Sequence, residues 1–175
     1  LATWGYREFA AAEPPLLVEK AQGVEKQLLK LPDGSKVWLR QNAVLQYPES
    51  FSGQERRVKL SGEAFFEVAH RDEQPFRVEL EQGGLVEVLG TQFNVRTAVQ
   101  NTETCIVVRE GKVRYLPTGT GAGAVLSARD RAVCRYGTEQ VVLSKATTFN
   151  ELAWQTGQLE FDSTPIREVV ADLEN

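Results

Sequence analysis

Between residues 16 and 145 apolar and polar positions alternate in short runs, and glycine, proline or a polar cluster interrupts them every few positions. In Ser61-Gly-Glu-Ala-Phe-Phe-Glu-Val-Ala69, Ala64, Phe66 and Val68 fall on one side of an extended chain; Glu63, Phe65 and Glu67 fall on the other. That is the period-two signature of a half-buried strand, because successive side chains of a strand point to opposite faces. The second set contains two carboxylates and reads as a solvated face. The same texture predicts strands at 16–21, 25–31, 35–40, 43–47, 56–60, 63–69, 76–80, 85–89, 92–97, 104–109, 112–116, 125–126, 131–136 and 140–144. Turn chemistry separates them. Pro32-Asp33-Gly34 combines a preset φ with a residue that tolerates positive φ, and Glu110-Gly111 marks a hairpin. Many short strands with frequent turns predict an all-β fold.

Four runs share the form basic–Val–x–large apolar: Lys36-Val-Trp-Leu39, Arg57-Val-Lys-Leu60, Arg77-Val-Glu-Leu80 and Lys112-Val-Arg-Tyr115. Val37, Val58, Val78, Val113 and Val133 recur at about twenty residues with one interval skipped, a period that can mark stacked repeats. Two architectures follow, a β-solenoid and a twisted β-sandwich. The period suits the stacked two-strand coils of the solenoid slightly better.

The ends of the chain differ in texture. Residues 1–15 mix alanines and aromatics and stop at Pro14-Pro15, which reads as a tether, frayed or a short helix, leading into an all-β domain at 16–146. Beyond Ala146, residues 147–175 read as a linker followed by one strand–helix unit. Trp154-Gln-Thr-Gly-Gln-Leu-Glu-Phe161 predicts a turn and a strand with Leu159 and Phe161 inward. Asp162-Ser-Thr164 supplies an N-cap, and Pro165 suits a first helical turn. Ile166, Val169, Val170 and Leu173 then share one helical face, with Arg167 on the opposite side. These five residues are the candidate partner surface, although for the apolar four the favoured reading is the interior of a small α/β module whose other strands are missing here.

Composition narrows the function classes. The 175 residues are 42% hydrophobic and 25% charged with a net charge of −4, ordinary for one globular core and against a general polyanion binder. The Glu55-Arg56-Arg57 cluster reads as a solvated strand edge. No apolar run reaches the ~20 residues of a membrane helix. The chain opens at Leu1 rather than methionine, without a signal-like region, and reads as a segment of a longer protein. Cys105 and Cys134 lie in separate strands, either paired or as two buried free thiols.

No catalytic residue, cofactor or metal ligand set stands out. The single histidine, His70, has no nucleophile elbow to serve and reads as a surface loop residue. One histidine and no CxxC pair leave zinc without ligands. Gly119-Thr-Gly-Ala-Gly123 lacks the lysine and following helix of a phosphate cradle and reads as a hairpin tip. Trp4, Trp38 and Trp154 are scattered and read as core or interface residues.

From Leu31-Pro-Asp-Gly-Ser-Lys-Val-Trp-Leu39 onward the chain resembles the FecR family of bacterial inner-membrane sensor proteins. The resemblance continues through Tyr47-Pro-Glu-Ser-Phe51, Arg56 to Val68, Pro75-Phe76, Val88-Leu-Gly-Thr-Gln-Phe-Asn-Val95 and Glu110-Gly-Lys-Val113, and covers residues 24 to 145. Asp33, Gly34, Gly62, Glu63, Phe66, Gly90, Phe93, Asn94 and Gly111 are the scaffold signature within it. The tail from Gly157 to Ile166 resembles the start of the secretin/TonB short N-terminal (STN) module found in Bacteroidetes-type members. Phe65 and Arg40-Gln-Asn-Ala43 depart from the family's usual tyrosine and Asn-x-x-Ser turn while keeping an aromatic and a polar turn. The resemblance implies a non-enzymatic periplasmic domain of a single-pass inner-membrane anti-sigma factor, with its membrane anchor outside this chain. Its implied partners are the periplasmic signalling domain of a TonB-dependent outer-membrane transporter and, through a cytoplasmic segment, an extracytoplasmic-function sigma factor. A periplasmic carbohydrate-binding or cell-envelope structural β-domain is the alternative.

Overall fold

The computed structural model describes residues 15–97, 103–117, 123–146, 148–159 and 161. Its strands are β1 (Leu16–Lys20), β2 (Lys26–Lys30), β3 (Lys36–Arg40), β4 (Val44–Pro48), β5 (Arg56–Glu67), β6 (Phe76–Leu80) and β7 (Leu85–Val88). They continue with β8 (Gln92–Thr97), β9 (Glu103–Glu110), β10 (Lys112–Leu116), β11 (Ala124–Ser127), β12 (Asp130–Arg135) and β13 (Val141–Lys145). The two runs expected at 56–60 and 63–69 merge into the twelve-residue β5, and both sheets are laid around it.

The first sheet runs β1-β4-β5-β6-β7-β10-β11 and the second β2-β3-β5-β8-β9-β12-β13. Residues 56–60 of β5 pair with β6, and residues 59–61 with β4. From Gly62 onward β5 pairs instead with β8, and residues 64–67 with β3. The changeover falls at Gly62, whose φ is 92°. A Cβ there would stand 2.9 Å from the Cα of Ala43, so a side chain would push β4 away as well as strain the backbone. One strand thereby serves two sheets.

Among the described residues all strand pairings are antiparallel except β5–β6. Solenoid coils would stack equivalent strands in parallel, so of the two expected architectures this is the twisted sandwich, curled until β11 approaches β9 and β12. The basic–Val–x–apolar motif marks strands rather than coils. Its second and fourth residues point inward, and Val37, Leu39, Val58, Leu60, Val78, Leu80, Val113 and Tyr115 are all buried. Val133 breaks the series, because Ala132 and Cys134 are the inward residues of β12. At the centre of the core Phe66 stacks on Phe93 across the second sheet, with ring centroids 5.1 Å apart. It meets Phe76 of the first sheet edge-on at 6.2 Å.

After β13 come a 3-10 turn (Asn150–Leu152) and one helical turn, α1 (Ala153–Thr156), closed by Gly157 at a left-handed φ of 72°. This segment lies on the outer face of the second sheet. Glu151 meets Arg131 of β12 at 2.7 Å, and the Lys26 ammonium of β2 donates to the Gln155 carbonyl at 3.0 Å. The cover explains why Glu63 and Phe65 are only 8% and 2% exposed, against the expectation of a solvated face. The strand expected around Leu159 and Phe161 is corrected as well: residues 153–156 are helical, and both apolar side chains are exposed. The tether at 1–14, the glycine loop at 118–122 and the helix expected to carry Ile166, Arg167, Val169, Val170 and Leu173 lie outside the described residues.

Candidate functional site

The polar group most enclosed by the fold is an ion pair at one end of the curled sandwich. The Pro32-Asp33-Gly34 turn between β2 and β3 holds Asp33 by a bond from the Ser35 amide at 3.0 Å and from the Ser35 hydroxyl at 2.7 Å. Arg56, the first residue of β5, reaches the same carboxylate at 2.8 Å, and both side chains are fully buried. The rest of the guanidinium donates to the carbonyls of Gln74 at 2.8 Å, Ala69 at 2.7 Å and Leu89 at 3.1 Å, and lies over the Phe76 ring. One side chain thus ties the β2–β3 turn, the end of β5, the loop into β6 and the end of β7. Desolvating two charges is tolerable only when they pair and the remaining donors are satisfied, as they are here. Arg56 is therefore a structural cation, which corrects its reading as part of a solvated edge.

The other expected signature residues sit around this knot and along β5. Gly34 turns at φ 90° and Gly111, between β9 and β10, at φ 88°. Gly90 lets the β7–β8 corner press against His70, whose Cα would lie 2.6 Å from any added Cβ. Glu63 receives bonds from the Arg40 guanidinium and the Asn94 amide, both at 2.9 Å, on the covered face of the second sheet. Phe66 and Phe93 are the stacked core pair.

Among the described residues, what remains does not assemble a reaction centre. His70 is two-thirds exposed in its loop, 3.1 Å from Asp72. Among the described residues no group of His, Cys, Asp or Glu side chains could hold a metal ion. Cys105 and Cys134 are both free and buried. They lie on neighbouring strands, with Cys105 opposite Val133 and Cys134 opposite Thr104. The odd offset sends the two thiols to opposite faces of the sheet, Cys134 into the main core and Cys105 into the outer patch with Val107 and Ala146. Of the two alternatives left open, the free thiols hold. Burial pushes the Cys105 thiol up to about 11.

The outer face of the first sheet carries a charge ladder. Arg57 pairs with Glu55 and Glu79, Arg77 with Glu55 and Glu87, and Arg114 with Glu87 at 3.8 Å. Beside it lies a shallow depression of about 530 Å³ lined by Leu16, Pro48, Phe51, Arg57 and Glu79. Its four charged residues pair among themselves, Arg57 with Glu55 and Glu79 and Lys59 with Glu79, so it presents no uncompensated charge to a ligand.

The sheet edges offer more. Among the described residues β1, β2, β11 and β13 each pair with one strand. β13 exposes Val142 and Leu143, β11 Val125, and β1 Leu16, Leu17 and Val18. Open ladders flanked by apolar side chains are surfaces on which another extended chain can add. Among the described residues no helix is long and apolar enough to cross a membrane.

Comparison with known proteins identifies the family and the fold. A search of curated proteins returned no match. Two crystal structures of a provisionally assigned anti-sigma factor from Parabacteroides distasonis ATCC 8503 are similar in fold. The first superposes with a TM-score of 0.75 at 30% identity, over 91% of this chain and 74% of that one. The second does so with a TM-score of 0.74 at 30% identity, over 90% and 73%. The model of the family described as FecR protein matches residues 20–114, a span that contains the Asp33–Arg56 knot, the Gly62 bend and the Phe66–Phe93 stack. The chain belongs to the FecR protein family.

Proposed function

We propose that this chain is the periplasmic domain of a membrane-anchored anti-sigma factor. In this reading it accepts the periplasmic signalling domain of a TonB-dependent outer-membrane transporter and relays that contact to an extracytoplasmic-function sigma factor. The observation that carries it is the likeness, over 91% of the chain, to the Parabacteroides distasonis protein, together with membership of a signalling family. The physical features are consistent with it. The buried charges are consumed in holding the scaffold, and the exposed features are strand edges and apolar side chains, which recognise protein by shape and backbone hydrogen bonds.

Residues 16–146 act as the β-domain, and residues 147–175 lead into an STN-like module. There Ile166, Val169, Val170 and Leu173 form the module's apolar stripe and Arg167 its exposed side. The test is titration of the purified chain with the signalling domain of the transporter encoded beside it, followed by calorimetry. Saturable one-to-one binding, weakened by Arg167→Glu, is the expected result. Absence of binding to any neighbouring transporter's signalling domain would sink the partner assignment while leaving the family intact.

A further inference from the structure

The covered face of the second sheet holds a cross-strand row, Leu28–Trp38–Phe65–Asn94–Val107–Arg131, read directly from the strand registers. These residues face away from the main core. Yet Phe65, Asn94 and Val107 are 2%, 3% and 1% exposed, whereas Leu28 at the end of the row is 49% exposed. The sheet itself cannot bury its own outer side; the segment at 149–156 does. It is pinned to β12 through Glu151–Arg131 and to β2 through Lys26–Gln155, so it crosses the strands between those points. Leu152 is fully buried, and Phe149 packs on the Cys105–Val107–Ala146 patch with the Arg129 guanidinium over its ring.

This contact is assembled differently from the rest of the molecule. It consists of a three-residue 3-10 turn and a four-residue helix, neither with a side-chain N-cap. Helical turns that short do not persist without the surface they pack on. Asn94 Oδ1 on the sheet, and Trp154 Nε1 and Gln155 Oε1 on the segment, are buried without hydrogen-bond partners. Each such atom gains no protein partner on closure in exchange for the solvent it gives up. The Asp33–Arg56 knot, by contrast, is saturated with partners.

We propose that residues 149–156 form a releasable strap, which opens from the second sheet while both sheets stay folded and uncovers Cys105 and the Phe65–Asn94–Val107 row. A displacement of the chain beyond Gly157 then reaches the β-domain through this strap. The inference rests on the packing alone and holds whichever partner the chain has.

Cys105 is the built-in reporter, since it lies under the strap. The intact protein is treated with excess maleimide at urea concentrations below the unfolding midpoint, and modification of the Cys105 peptide is followed by mass spectrometry. Opening by the strap alone exposes little surface, so the rate should hardly depend on urea. It should also report an open population ~100-fold or more above that of the unfolded chain, the mark of sub-global opening. Leu152→Ala should raise the rate about thirtyfold or more, as expected for emptying a fully buried leucine site. Should that variant fail to fold, Glu151→Gln, which removes the Arg131 ion pair, should raise it severalfold. Modification of Cys105 only along the steep urea slope of global unfolding would overturn the proposal. So would rates that neither variant changes.

Discussion

Replacing Arg56 by methionine tests whether the knot at one end of the sandwich holds the elements together. The substitution keeps a long apolar stem against Phe76 and removes the guanidinium. Asp33 then keeps its bonds from Ser35 but loses its counter-charge, and the carbonyls of Gln74, Ala69 and Leu89 lose their donor. Breaking one side of a buried ion pair destabilises by about 3–5 kcal/mol, because the surviving charge stays desolvated and uncompensated. Domains of this kind are stable by only about 5–15 kcal/mol, so the loss is a large share of the total. For a chain of this length it should lower Tm by about 6–20 °C. Urea unfolding followed by tryptophan fluorescence should show a lower midpoint at an unchanged slope. The double variant Asp33→Asn/Arg56→Met removes the orphaned charge while leaving an acceptor for the Ser35 amide, and should recover at least ~1 kcal/mol of the loss. Added salt should barely change the difference, since a fully buried pair is poorly screened. An Arg56→Met variant within ~0.5 kcal/mol of the parent would refute the reasoning, as that is the range of inconsequential surface changes. So would a double variant no more stable than the single one.

Two further predictions probe the bend and the buried thiol. Gly62→Ala should destabilise by about 2 kcal/mol or more, from positive φ and the 2.9 Å approach to Ala43 together. Gly23→Ala, at φ 69° with open space around it, should show only the smaller backbone strain, so equal losses in urea melts would show that the close approach to β4 does not matter. At alkaline pH the unfolded chain releases the Cys105 proton near the ordinary thiol value of 9.0, while the folded chain keeps it to about 11. Stability is therefore complete below pH 9 and falls as pH rises through that window, by up to about 2–3 kcal/mol from this group. Cys105→Ala should flatten the fall in urea melts between pH 9 and 11 without abolishing it, because burial also raises the Tyr115 hydroxyl. An equally steep decline in the variant would place the effect elsewhere.

Most strands were legible from local pattern. The inward residues of the four basic–Val–x–apolar runs, the Pro32-Asp33-Gly34 turn and the Gly111 hairpin stand where period-two alternation and turn chemistry put them. These signals are local: which side of a strand a residue takes, and where positive φ is needed, depend on a few neighbours. The pairing of the strands was not legible. An approximate twenty-residue spacing suits coils and sandwiches alike, and only the registers, antiparallel at every pair but β5–β6, separate them.

The polar residues show the same division. Arg56 follows Glu55 and precedes Arg57, and by composition all three look alike. Yet Arg57 sits on the solvated ladder, while Arg56 is buried against an aspartate twenty-three positions away. Phe65 and Glu63 were correctly assigned to the face opposite Phe66, but nothing within β5 announces that a segment eighty residues later will cover that face. The two cysteines could be placed on strands, whereas their opposite faces required the register of β9 on β12. By itself, then, the sequence determined the strands, their inner faces, the turns and the family. The tertiary structure alone decided which charges are buried, which outer face is covered and which thiol lies beneath it, because each depends on contacts between residues far apart in the chain.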